Sequence, residues 1–86
     1  METPDWKNKE RIKIILDARP MLAAGEHPLE RVKNEAGALN PGEIFEIITP
    51  FSPVPMIEKM GALGFETFSE KDEEGIFHTF FMKKEE

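Results

Sequence analysis

The sequence has no cysteine among its 86 residues. This absence excludes disulfide bonds, thiolate-ligated zinc, iron–sulfur clusters and catalysis by a thiol. The chain also has only two histidines, which leaves too few groups for the nucleophile and base of a hydrolase or transferase. We therefore expect a non-enzymatic protein, and we expect no cofactor.

Long hydrophobic runs and an excess of basic residues are missing as well. The longest apolar runs are a handful of residues, which is too short for a signal peptide or a membrane span. Lys and Arg number 11 against 17 Asp and Glu, giving a formal net charge of -6, whereas nucleic-acid binders normally carry a basic face. These patterns predict a cytoplasmic protein whose partners include neither nucleic acid nor membrane.

The apolar residues that are present suffice for one small core. Apolar residues make up 40% of the chain and include seven phenylalanines, so disorder is not expected. Residues 1–10 are polar and lack a periodic pattern, which is typical of a flexible leader. Residues 11–84 are expected to form a single domain.

Four segments have the composition of β-strands, with β-branched and aromatic residues in short apolar or alternating runs. They are RIKIILDA (11–18), EIFEIIT (43–49), FETFSE (65–70) and GIFHTFFMK (75–83). The last two flank a short charged loop ending in glycine, which indicates a hairpin. Residues 19–26 are interpreted as a loop.

Two helices are predicted between these strands. The first starts at Pro28, continues through apolar residues at helical spacing and stops at 40–42. The second has Ser52 as its cap and Pro53 as its first residue, and Gly64 ends it. Its buried face is expected to include Ile57, Met60 and Leu63.

The resulting order is β-α-β-α-β-β. Right-handed crossovers place both helices on one face of the sheet, which predicts a two-layer α/β (α+β) sandwich with a four-stranded mixed sheet. The last strand carries His78, Phe80 and Met82 on one face and Phe77, Thr79 and Phe81 on the other. Its outward face is therefore either a surface for a partner or a second copy of the chain, or it is covered by the leader and Trp6. We expect a monomer or a weak homodimer through this face.

The order and several motifs resemble the TusA/SirA-like superfamily over residues 11–83. The matching motifs are Leu16-Asp17 at the end of the first strand, Pro28 at the helix start, Pro41-Gly42-Glu43 before the second strand, and Gly64-Phe65-Glu66. In sulfur-carrier members of that superfamily, a Cys-Pro-x-Pro motif leads into the first helix, and its cysteine carries a persulfide. Pro28 corresponds to the second proline of this motif, three residues after the cysteine. The alignment places Gly25 at the cysteine position, so the resemblance implies that this chain is not a sulfur carrier.

The loop 19–28 is similar to that of a cysteine-less branch, domain-of-unknown-function family 2249. Members of this branch resemble the chain in an LDxR-P motif and in His-Pro-Leu at the helix start. The resemblance implies little about activity, because no activity is established for that branch.

The binding candidates surround this helix start: Gly25, Glu26, His27, Pro28, Asp17 and Arg19. His27 is either a contact for a ligand, proton or anion, or a loop histidine hydrogen-bonded to the local backbone or a carboxylate. Asp17 and Arg19 pair with each other, tie down the loop, or orient His27 through Asp17.

Negative charge from Glu26 and Glu30 opposes anion binding at the same loop. Together with His27 they give a weak candidate metal set. Our leading hypothesis is a small binding or interaction module with a protein or small-molecule partner. The alternative is a metal- or redox-linked accessory protein that uses His27.

Overall fold

The computed structural model describes residues 3–84 and confirms a small α+β domain with a four-stranded mixed sheet. A 3-10 turn at Lys9–Arg11 precedes the first strand. The strands are β1 (Ile12–Asp17), β2 (Ile44–Thr49), β3 (Glu66–Lys71) and β4 (Phe77–Met82), and the α-helices are α1 (Arg19–Ala23), α2 (Leu29–Gly37) and α3 (Val54–Ala62). The described residues thus contain three α-helices where two were predicted.

Helix α1 corrects the interpretation of residues 19–26 as a loop. The helix is five residues long, which is too short to show a helical repeat in the sequence. Pro20 lies in its first turn, where the missing N–H costs nothing. The amide of Leu22 donates to the carbonyl of Ala18 at 2.9 Å, and the side chains of Met21 and Leu22 pack against the core.

The sheet order is β1-β2-β4-β3, with β1 and β2 parallel and the other pairs antiparallel. One face of the sheet, which we call the inner face, packs against the helices. It forms one buried cluster with α2 and α3: Leu16, Phe45, Ile47 and Phe81 from the strands, and Val32, Ala36, Met56 and Met60 from the helices. The two longer helices therefore lie on one side, as predicted.

The opposite, outer face carries a second apolar cluster that is covered by the leader. Ile44, Phe80 and Met82 are its buried members, and Trp6 packs against them. The ammonium group of Lys7 lies 5.0 Å from the centre of the Phe80 ring. Of the two predicted alternatives, the structure thus shows the one in which the leader and Trp6 cover this part of the outer face. A homodimer through that face stays a prediction.

The ends of α3 differ from those predicted. The helix begins at Val54, with Pro53 as N-cap and no side-chain capping bond, so Ser52 does not cap it. Leu63 lies beyond the last helical residue and is half exposed, so its predicted burial is wrong. Gly64 does end the helix, with a φ of +99° that suits glycine.

Strand β1 forms one edge of the sheet and is irregular. Its pairing with β2 shifts register between Ile12 and Ile14, which leaves Lys13 exposed at a bulge. The other edge is β3. None of the helices in residues 3–84 is long and apolar enough to cross a membrane.

Candidate binding groove at the carboxyl ends of two parallel strands

A groove opens where β1 and β2 end. Because these strands are parallel, their carboxyl ends lie at the same edge of the sheet, and there the chain enters α1 and α3. The groove has a volume of about 360 Å³. Its walls are almost entirely apolar and consist of Leu22, His27, Pro28, Leu29, Thr49, Phe51, Pro53, Pro55 and Met56.

One wall comes from the turn that links α1 to α2. Gly25 has a φ of +81°, a left-handed conformation that L-residues rarely adopt. The amide of Glu26 donates to the carbonyl of Met21 at 2.9 Å, which closes the turn. Pro28 is buried, and its carbonyl accepts the first helical hydrogen bond from Val32 at 2.9 Å. The turn is therefore anchored at both ends.

His27 lies between these anchors with its side chain exposed at the rim of the groove. Within residues 3–84 its ring has no hydrogen-bond or ion-pair partner. The expected bonds from His27 to the local backbone or to a carboxylate, including Asp17, are therefore not formed. The imidazole nitrogens remain accessible to water or to a ligand.

The other wall follows β2 and was not anticipated from the sequence. Thr49 is buried, and its hydroxyl donates to the carbonyl of Phe51, which braces the turn into α3. Phe51 remains 50% exposed although it is a large apolar side chain. The Thr49 hydroxyl is thus already engaged. His27 is the one titratable side chain that lines the groove in the described part of the chain.

Asp17 and Arg19 form an ion pair with each other, which is one of the alternatives predicted from the sequence. The guanidinium donates to both carboxylate oxygens, at 2.9 and 2.7 Å. The backbone amide of Arg19 donates to the same carboxylate at 3.1 Å. These bonds to Arg19 lower the pKa of Asp17 to about 2. Neither residue lines the groove, so the pair braces the end of β1 and does not contact His27.

The candidate metal set does not converge into a site within residues 3–84. No three His, Asp or Glu side chains of this range are grouped so that they could hold a metal ion. Glu30 instead contacts the ammonium of Lys33 at 3.3 Å, and Glu26 is exposed. A metal bound through His27 would therefore need ligands from elsewhere.

The second histidine has a contrasting environment on the outer face. The Nδ1 atom of His78 lies 2.9 Å from a carboxylate oxygen of Glu46, and Nε2 lies 2.9 Å from one of Asp72. The bond to Glu46 contributes most to raising the pKa of His78, the bond to Asp72 adds to it, and burial opposes both. The strand pattern predicted that His78 lies on the same face as Phe80, but its partners depend on strand register and on the hairpin loop.

Comparison with known proteins identifies the family. A family profile described as an uncharacterized conserved protein (DUF2249) matches residues 15–83. The chain belongs to the DUF2249 family. The matched segment contains both walls of the groove and the whole sheet except the beginning of β1. No curated protein and no solved structure matches this DUF2249 chain.

Proposed function

We propose that this DUF2249 protein is a non-enzymatic binding module whose groove at the carboxyl ends of β1 and β2 holds a compact apolar ligand. The groove geometry carries the proposal. Its volume of about 360 Å³ falls within the range of small-molecule sites, about 300–1,000 Å³, which are mostly apolar with few polar groups. Ligands of open α/β sheets also bind outside the carboxyl ends of parallel strands.

The surrounding charges favour a neutral ligand. Glu26 and Glu30 are exposed beside the turn that carries His27, and their negative charge disfavours an anion there. The imidazole of His27 can exchange a hydrogen bond with one polar group at the edge of an otherwise apolar molecule. A hydroxylated aromatic compound combines these properties.

A distant relationship to the TusA/SirA-like proteins remains part of this proposal. The position of Pro28 before α2 and the strand order support it. The loop that would carry the persulfide cysteine is here the His27 wall of the groove, and Gly25 at the cysteine position has the φ of +81°. Since the chain has no cysteine, we propose binding at this place and not sulfur transfer.

An amide NMR titration of untagged, ¹⁵N-labelled protein with 2-naphthol tests the proposal. We expect shifts at Leu22, Leu29 and Met56 that saturate together. The Phe51→Ala variant should weaken binding by about tenfold, which corresponds to about 1.4 kcal/mol. His27→Ala should weaken it less, since it removes one hydrogen bond at a wet rim. The anionic analogue 2-naphthoate should bind more weakly than 2-naphthol.

Leu63→Ala provides the matched control, because Leu63 is as exposed as Phe51 but lies at the other end of α3. This variant should bind 2-naphthol like the wild type. Full binding by a folded Phe51→Ala protein, or shifts centred on the outer face, would falsify the proposal. The metal-linked alternative stays a prediction, and metal analysis of untagged wild-type and His27→Ala protein tests it.

A further inference from the structure

His78 lies between two carboxylates that come from different elements. Glu46 projects from β2 toward Nδ1, and Asp72 projects from the loop between β3 and β4 toward Nε2, both at 2.9 Å. A neutral imidazole carries a hydrogen on one nitrogen only, and its other nitrogen can only accept. Both hydrogen bonds therefore require the imidazolium form, since neither carboxylate donates while it is ionised.

The two carboxylates depend on His78 to different degrees. The side chain of Glu46 is 12% exposed, and within residues 3–84 His78 is its one hydrogen-bonding partner. The side chain of Asp72 is 37% exposed, and its other oxygen accepts the amides of Glu74 and Ile76 at 2.9 and 3.0 Å. Loss of the hydrogen bond to His78 therefore costs more free energy at Glu46 than at Asp72. The Glu46 carboxylate is largely shielded from water, so water cannot fully replace the lost bond.

We propose that His78 is a pH-sensitive latch. As an imidazolium it holds the hairpin loop 72–76 against the outer face. When it loses a proton, it retains its hydrogen bond to Glu46 and loses the one to Asp72, which releases the loop. The loop has hydrogen bonds of its own, from the amide of Asp72 to the carbonyl of Ile76 at 2.9 Å and from that of Gly75 to the carbonyl of Asp72 at 3.0 Å. The released loop therefore keeps its turn and moves away as a unit.

The other charges around His78 are largely paired among themselves. Lys7 of the leader contacts Glu70 of β3 at 3.3 Å, and Arg19 contacts Asp17 at the end of β1 at 2.7 Å. Lys9 faces the same hollow from the leader and disfavours the imidazolium by its like charge, and Glu74 adds a negative charge in the loop. Glu46 and Asp72 are the negative groups in direct contact with the His78 ring, and their hydrogen bonds dominate its surroundings, in agreement with the raised pKa of His78.

The imidazole nitrogens of ¹⁵N-histidine-labelled, untagged protein report the latch directly. A long-range proton–nitrogen spectrum distinguishes the imidazolium and each neutral tautomer, and the His78→Gln variant assigns the His78 signals. We expect His78 to titrate at a pH above 6.5, the ordinary value for histidine, and to end as the tautomer with hydrogen on Nδ1. The amides of Glu74 and Ile76 should shift at the same midpoint in the wild type and stay constant in His78→Gln.

Two conservative variants separate the roles of the carboxylates and keep the test valid if His78→Gln fails to fold. Glu46→Gln should lower the His78 midpoint more than Asp72→Asn does. Asp72→Asn should leave the Nδ1–H tautomer of the neutral form unchanged. A midpoint at or below 6.5 in the wild type, a neutral form with hydrogen on Nε2, or loop amides that ignore the His78 titration would each overturn the proposal.

Discussion

The two histidines of this chain are similar in chemistry and opposite in environment. His27 is exposed at the rim of an apolar groove and has no partner within residues 3–84, whereas both nitrogens of His78 contact carboxylates. A polar group whose hydrogen bonds are already made contributes to stability, and one beside a concave apolar surface is available to a ligand. The comparison therefore favours the proposal that the first region binds a ligand, and it predicts that the second region stabilises the fold.

The largest expected effect comes from removing each histidine in turn and measuring urea unfolding at about pH 6, below the usual histidine pKa. His78→Ala leaves the Glu46 carboxylate without its cation in a site where it is 12% exposed. We expect a loss of about 2 kcal/mol, less than for a fully buried pair because His78 is itself partly exposed. His27→Ala should cost less than about 0.5 kcal/mol, as is usual for a surface residue without partners.

The pH dependence of the same experiment sharpens the comparison. The pKa of His78 is raised in the folded protein, so its stabilising contribution is complete below 6.5 and is lost as the pH rises through the folded pKa. The stability difference between wild type and His78→Ala should therefore narrow above pH 6.5. The contrast between the two regions would be contradicted if both histidine variants lost the same free energy of unfolding. It would also be contradicted if the stability difference between wild type and His78→Ala grew with pH.

A smaller effect is expected where the leader covers the outer face. Trp6 is partly buried against Ile44, Phe80 and Met82, and it is the one tryptophan of the chain. Trp6→Ala should destabilise the protein by about 1–2 kcal/mol, below the cost of deleting a fully buried aromatic side chain. In the wild type, the fluorescence of Trp6 should follow the unfolding curve measured by circular dichroism. If Trp6 signals its release well before the sheet unfolds, the leader is not part of the cooperative fold.

The smallest expected effect lies in the turn that holds His27. Gly25→Ala introduces no contact within 4 Å but must keep a φ of +81°, so we expect a loss of about 1 kcal/mol. Gly61→Ala is the matched control, because it also meets no atom within 4 Å but lies inside α3, where alanine should stabilise by up to about 1 kcal/mol. Thermal unfolding compares the two variants. The same sign for both would show that the His27 turn has another backbone conformation in solution.

Local patterns predicted the regular elements of this fold well. The strands follow runs of β-branched and aromatic residues, and the alternation along β4 correctly separated Phe81 from Phe80. Helix α1 was missed because five residues show no helical period and Pro20 is typical of a loop as well as of a first turn. Leu63 is exposed because α3 ends at Ala62, whereas the sequence pattern predicted that the helix continues through Leu63.

The candidate site was only half predictable for a related reason. The pattern around Pro28 located the His27 wall, since helix-start signals are local. The Phe51 wall and the contacts of His78 arise between segments distant in the chain, and they depend on sheet order and register. Local patterns in one sequence do not determine the strand order and register that bring these residues together.

The irregular edge of the sheet bears on how the protein behaves at high concentration. Unpaired edge strands invite pairing with strands of other molecules, and bulges and charged side chains discourage it. The register shift at Lys13 interrupts β1, and Glu66, Glu70 and Lys71 place charges along β3. Both edges therefore resist strand-to-strand association, so self-association of this acidic chain should proceed through side-chain surfaces and not by extension of the sheet into fibrils.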